Sequence, residues 1–177
     1  MLKLLREVLK TGEATVGYPF QPVELADGFR GRPKHDPALC IACAACAIAC
    51  PPNALRVEPD AERGVTVWSL FTGRCIYCAR CEEVCPTGAL KLSPDFELAV
   101  MNKADLYESA EYRLAACKQC GSYFAPVKEV EYALALLEHS GLPAGEVELH
   151  RALFRICPVC RRKHDVPKLA GVYQEEV

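Results

Sequence analysis

Apolar residues recur along this 177-residue chain in several rhythms, and the rhythm changes where the chemistry changes. Leu2, Leu5 and Leu9 fall at i, i+3 and i+4 spacing while Lys3, Arg6 and Lys10 lie off that face, which predicts a short amphipathic helix. At about ten residues such a helix is marginal on its own. From Thr11 to Asp36 neither a helical nor a strand period holds. Gly12, Gly17, Pro19, Pro22, Gly28, Gly31 and Pro33 punctuate an apolar Tyr18-Pro19-Phe20-Gln21-Pro22 stretch. This predicts an extended arm whose aromatics need a covering surface, either another protein or the arm's own domain. Further on, Ala54-Leu55-Arg56-Val57 and Ala89-Leu90-Lys91-Leu92 predict short strands, and Val130, Leu134 and Leu137 share one face of a helix predicted over Glu129 to His139.

No apolar run approaches the roughly 18 to 20 residues needed to span a bilayer, and Lys3, Arg6 and Glu7 interrupt the first helix, so neither a membrane span nor export is expected. The composition, 51% hydrophobic and 25% charged, is that of a globular protein. A formal net charge of −2 excludes a bulk electrostatic binder of nucleic acid. Twelve cysteines change the picture, because in a reducing cytoplasm thiols this dense are metal ligands before they are disulfides.

Eight of the twelve form a repeat. Cys40, Cys43, Cys46 and Cys50-Pro51 recur 35 residues later as Cys75, Cys78, Cys81 and Cys85-Pro86. Both runs read C-x2-C-x2-C-x3-C-P, the spacing in which three cysteines wrap one 4Fe-4S cubane and the fourth reaches the neighbouring cluster. One cluster is therefore expected on Cys40, Cys43, Cys46 and Cys85, and a second on Cys75, Cys78, Cys81 and Cys50. Ala42, Ala44, Ala45, Ala47 and Ala49 are small enough for backbone N–H groups to approach the sulfur atoms, while Ile41 and Ile76 are placed to exclude water. Trp68 and Tyr77 read as packing. His35, His139 and His150 are scattered and form no catalytic constellation, so the chain is expected to move electrons without being an enzyme by itself.

This unit of strand, cysteine loop, helical turn and strand resembles the bacterial two-cluster ferredoxin over about 60 residues, which implies an α+β core with two-fold pseudosymmetry. The flanks, Thr15-Val16-Gly17-Tyr18-Pro19-Phe20-Gln21-Pro22 and Gly28-Phe29-Arg30-Gly31-Arg32-Pro33, resemble the arm of the ferredoxin-like subunit of respiratory complex I and its hydrogenase relatives. With Gly88-Ala89-Leu90-Lys91-Leu92 and Glu97-Leu98-Ala99-Val100, the whole is most similar to the ferredoxin-like subunit family of formate hydrogenlyase. That resemblance implies an electron relay from a formate dehydrogenase module toward the small and large subunits of a nickel-iron hydrogenase. It also implies a cytoplasmic location, peripheral to the inner face of the membrane. A freely diffusing ferredoxin and a complex I-type quinone oxidoreductase subunit are the alternatives.

The remaining thiols are Cys117 and Cys120 followed by Cys157 and Cys160, two C-x2-C knuckles that suit one tetrahedral zinc, or a mononuclear iron, in a small zinc-ribbon-like domain. His164 and the run Arg161-Arg162-Lys163 read as surface residues. The expected organisation is an arm over 1–36, a two-cluster domain over 37–98 and a metal-binding extension over 99–177.

Overall fold

The computed structural model describes residues 2–12, 15–163 and 165. The first helix, α1 (Leu2–Thr11), covers the expected span. Leu4, Leu5, Val8 and Leu9 on it are exposed, so these four gain little burial from the rest of the chain. The arm then runs without regular structure until it meets the body at two places. Tyr18 and Phe29 both set their rings edge-on to Phe96, and the backbone N–H groups of Gly31 and Arg32 donate to the carbonyls of Ser93 and Asp95. A Cβ at residue 31 would collide with those same carbonyls, so the close approach of the two backbones requires glycine there. The end of the arm thus folds onto its own domain, while Phe20 remains 95% exposed.

Beyond the arm, two antiparallel pairings organise the repeat. Strand β1 (Pro33–His35) pairs with β4 (Leu90–Leu92), placing His35 opposite Leu90. Strand β2 (Leu55–Asp60) pairs with β3 (Val65–Phe71), placing Leu55 opposite Leu70 and Val57 opposite Trp68. Each cysteine loop lies between the strand that enters a unit and the strand that leaves it. The four-residue helices α2 (Ala45–Ile48) and α3 (Arg80–Glu83) sit inside the loops. Thr66, Trp68 and Leu70 alternate inward along β3 as a half-buried strand requires. They join Cys40, Ala42, Ala54, Leu55, Ala89, Leu90 and Tyr112 in the core. Trp68 and Leu70 are fully buried, and truncating such a tryptophan to alanine typically costs about 3–5 kcal/mol.

The sheet does not stop at residue 98. Strand β5 (Tyr107–Ala116) pairs with all of β3 through Tyr107 to Arg113, bringing Tyr112 opposite Thr66, and β6 (Tyr123–Pro126) completes the order β2-β3-β5-β6. The extension is therefore hydrogen-bonded into the same sheet as the second half of the repeat. From β6 the chain enters α4 (Val127–Glu138) directly, with Val130, Leu134 and Leu137 half-buried on the expected face. A second helix, α5 (Ala144–Phe154), follows Pro143 and is tied back by Arg151 Nη2 to Glu138 Oε1 at 2.7 Å.

Candidate metal centres

The two cysteine loops share one backbone trace. Ala42 and Ala44 have φ of 57° and 62°, and Tyr77 and Ala79, 35 residues on, have 54° and 67°. Left-handed backbone is uncommon outside glycine and marks a constrained site. It turns successive N–H groups toward sulfur: Ala42 N to Cys40 Sγ and Tyr77 N to Cys75 Sγ, both 3.4 Å. After the fourth cysteine the correspondence continues, with Ala54 N on Cys50 Sγ at 3.3 Å and Ala89 N on Cys85 Sγ at 3.2 Å. Asn53 and Gly88 supply the left-handed turn that precedes those contacts. Small side chains are not what this trace demands everywhere, since Tyr77 adopts the same φ as Ala42.

The eight thiols surround two cavities. Cys40, Cys43, Cys46 and Cys85 line the first, with Val57, Trp68 and Leu90, around about 340 Å³ of free space partly open to solvent. Cys50, Cys75, Cys78 and Cys81 line the second, with Pro33, Leu55 and Leu70, around about 350 Å³. Each cavity thus takes three thiols from one sequence unit and one from the other. Pairing β1 with β4 and β2 with β3 produces this exchange, because it lays the end of each unit beside the start of the other. Ile41 is buried against the first cavity, whereas Ile76, its counterpart in the second loop, is 61% exposed.

Electrostatics shows why the cavities suit a cationic group. Burial pushes the Cys46 thiol up to about 11, and burial does the same at Cys81. Burial also acts on Cys85, but the hydrogen bonds around its sulfur outweigh it and draw that thiol below its ordinary value. Thiolates this close together in an apolar pocket repel one another unless a cation binds them. The same region holds a group of residues that periodicity could not reveal. His35 stacks on Trp68 at 3.7 Å with rings 14° apart. Its Nε2 lies 3.2 Å from the Tyr112 hydroxyl. Lys128 sits over the Tyr112 ring and donates to the carbonyls of Pro37 and Ala38 at 2.8 and 2.9 Å, tying α4 to the first cysteine loop.

The C-terminal thiols form a different kind of site. Cys117 and Cys120 occupy the turn between β5 and β6, where Cys117 N donates to Ser122 O and Gly121, at φ 75°, closes the knuckle. Cys157 and Cys160 follow α5, and Lys118 N on Arg155 O brings the second knuckle to the first. All four Sγ atoms lie within 4.8 Å of one another. A tetrahedron of sulfurs about 2.3 Å from a zinc has edges of about 3.8 Å, so a single ion fits after a small contraction. Backbone N–H groups of Gln119 and Cys157 point at Cys117 Sγ. Led by the one from Cys157, such bonds lower this thiol to about 6, while hydrogen bonds from Cys120 and Cys157 push Cys160 up to about 12. Arg161, expected on a solvated basic surface, instead reaches back to the Leu153 carbonyl at 2.6 Å and braces the knuckle. Arg162 and Lys163 are exposed, and His164 lies outside the described residues.

Cysteine loops built on such a trace define a class, and the profile of the 4Fe-4S dicluster domain matches residues 39–89. The chain is an iron-sulfur protein of that kind. It is 47% identical over 163 residues to formate hydrogenlyase subunit 6 of Escherichia coli (strain K12), covering 92% of this chain and 89% of that protein. The chain belongs to the family of that subunit. Among solved structures it is similar to a chain of the membrane-bound sulfane sulfur reductase, an archaeal respiratory membrane complex. There the sequence identity is 28% and the TM-score 0.43, over 58% of this chain and 56% of that one.

Proposed function

We propose that this protein is a non-catalytic electron-transfer subunit of a formate hydrogenlyase-type complex, carrying single electrons through two 4Fe-4S clusters. In this reading Cys40, Cys43, Cys46 and Cys85 hold one cluster and Cys75, Cys78, Cys81 and Cys50 the other. The observation that carries it is the exchange of the fourth thiol between the two cavities. When bound, each cluster accepts and releases one electron, and the chain's own residues keep it in place. The left-handed loops aim N–H groups at sulfur, and the core on either side of β3 limits water.

Electrons would enter from a formate dehydrogenase module and leave toward the small subunit of a nickel-iron hydrogenase, which works together with the large subunit. Membership of the formate hydrogenlyase subunit 6 family supports a place in such a complex. The exposed α1 face and the arm around Phe20 would dock against these neighbours. No helix among the described residues is long and apolar enough to cross a membrane, so attachment on the inner, cytoplasmic face would be peripheral and through the complex. Cys117, Cys120, Cys157 and Cys160 would hold a zinc as a brace for the extension, with no redox role.

Metal analysis of the intact protein tests the assignment. About eight irons and one zinc per chain are expected. About nine irons without zinc would replace the brace with a mononuclear iron centre, and four irons or fewer would overturn the two-cluster relay.

A further inference from the structure

The repeat is symmetric in its cysteines and asymmetric in one neighbour. Trp68 and Pro33 stand 35 residues apart, each seven residues before the first cysteine of a loop. Trp68 lines the cavity of Cys40, Cys43, Cys46 and Cys85, whereas Pro33 lines the other. Trp68 is fully buried, yet its Nε1 has no hydrogen-bond partner. A buried indole N–H without an acceptor is an exception that demands a cause, because most tryptophans this deep find a partner. The indole shares the first cavity with Cys46, which packs against the core cluster that contains Trp68. Its orientation is held by the stacked His35 ring, itself bound to Tyr112. The indole is therefore a preset donor beside a sulfur atom that becomes a much stronger acceptor once it ligates iron.

We propose that Trp68 donates its indole N–H to the Cys46 sulfur of the cluster in the first cavity and thereby raises that cluster's reduction potential. The proposal rests on the ligation set out above. One electron enters the cluster and no covalent bond changes. Reduction adds negative charge to the sulfur ligands, so a donor at Cys46 stabilises the reduced form more than the oxidised one. Burial works the other way, since the first loop is the more enclosed and added charge is least welcome there. Trp68 offsets that penalty where it is largest. At the second cavity proline has no N–H to offer, and the exposed Ile76 leaves solvent to do the same work. Trp68 is thus a positioning residue that acts through Cys46.

Redox titration of the intact Trp68→Phe protein, followed by electron paramagnetic resonance, tests this. The first cluster is identified as the signal lost in Cys43→Ser. The expected result is a roughly tenfold weakening of its reduction equilibrium, a fall of about 59 mV for a one-electron couple, with the second cluster unmoved. A second measurement needs no variant. The chain has one tryptophan, so indole labelled with nitrogen-15 marks Trp68 alone. Pulsed resonance of the reduced protein should then show nitrogen-15 coupling on the first cluster's signal and none on the second's. An unchanged midpoint in the Phe variant, or no coupling in labelled protein that carries both clusters, overturns the proposal. Absence of both cluster signals from the unlabelled natural protein would overturn the ligation itself.

Discussion

The repeat core and the C-terminal extension each gather thiols in fours, but by different means. In the core the two quartets line two cavities partly open to solvent, and each includes a thiol from the other sequence unit. In the extension one quartet closes to within 4.8 Å, with two knuckles meeting directly. Wide rings suit a polynuclear cluster and a tight group suits one ion. Sulfur count alone therefore says little about the metal, and the spacing imposed by the surrounding elements decides it. The exchange of thiols also makes each core site depend on both halves of the repeat, whereas the extension's site is self-contained.

The most severe way to break this contrast is Cys85→Ser. It should cost the cluster of Cys40, Cys43 and Cys46, up to about half of the iron, even though the altered residue lies in the other unit. Iron analysis with paramagnetic resonance of the reduced protein checks it. Damage confined to the cluster of Cys75, Cys78 and Cys81 would mean that no exchange occurs.

Next in size is Cys157→Ala. Removing a buried ligand should release the C-terminal metal and lower the stability of the extension by several kcal/mol, leaving both core clusters spectroscopically unchanged. Limited proteolysis and zinc content report on the extension. A loss of cluster signal in this variant would show that the two regions are not independent.

The smallest effect is expected at the seam between them. Lys128→Met removes two hydrogen bonds to the Pro37 and Ala38 carbonyls. Because the ammonium is on an accessible surface, the loss should be about 1 kcal/mol, read as a fall of a few degrees in Tm. A much larger fall would make α4 a structural part of the first cluster loop.

Local rhythm predicted much of this molecule. The i, i+3, i+4 spacing marked α1 and α4 to within about two residues at each end. The Ala-Leu pairs marked the starts of β2 and β4. Regular cysteine spacing already put Cys85 with Cys40, Cys43 and Cys46, the four that line one cavity. What stayed hidden depends on long-range register. His35, Trp68, Tyr112 and Lys128 converge only because β1, β3, β5 and α4 are laid side by side, and each alone looks like an ordinary residue. The continuity of the sheet past residue 98 was hidden for a related reason, since β5 contacts β3 across a connection of 35 residues. Arg161 misled in the opposite direction. A basic triplet reads as solvated, and only the fold shows that its first member turns back onto the Leu153 carbonyl.

The swapped fourth thiol has a consequence for biogenesis. The wall of the first cavity begins at Cys40 and is finished only at Cys85, 45 residues later in synthesis. A nascent chain that has exposed only the first loop presents three of the four thiols of the first cavity and one of the second, so under the proposed ligation neither site is complete. Under that ligation, loading would wait until both units have emerged and β1 has paired with β4 and β2 with β3. Iron incorporation would thereby become a checkpoint on folding, and a chain interrupted between the two loops would leave the ribosome without a finished site.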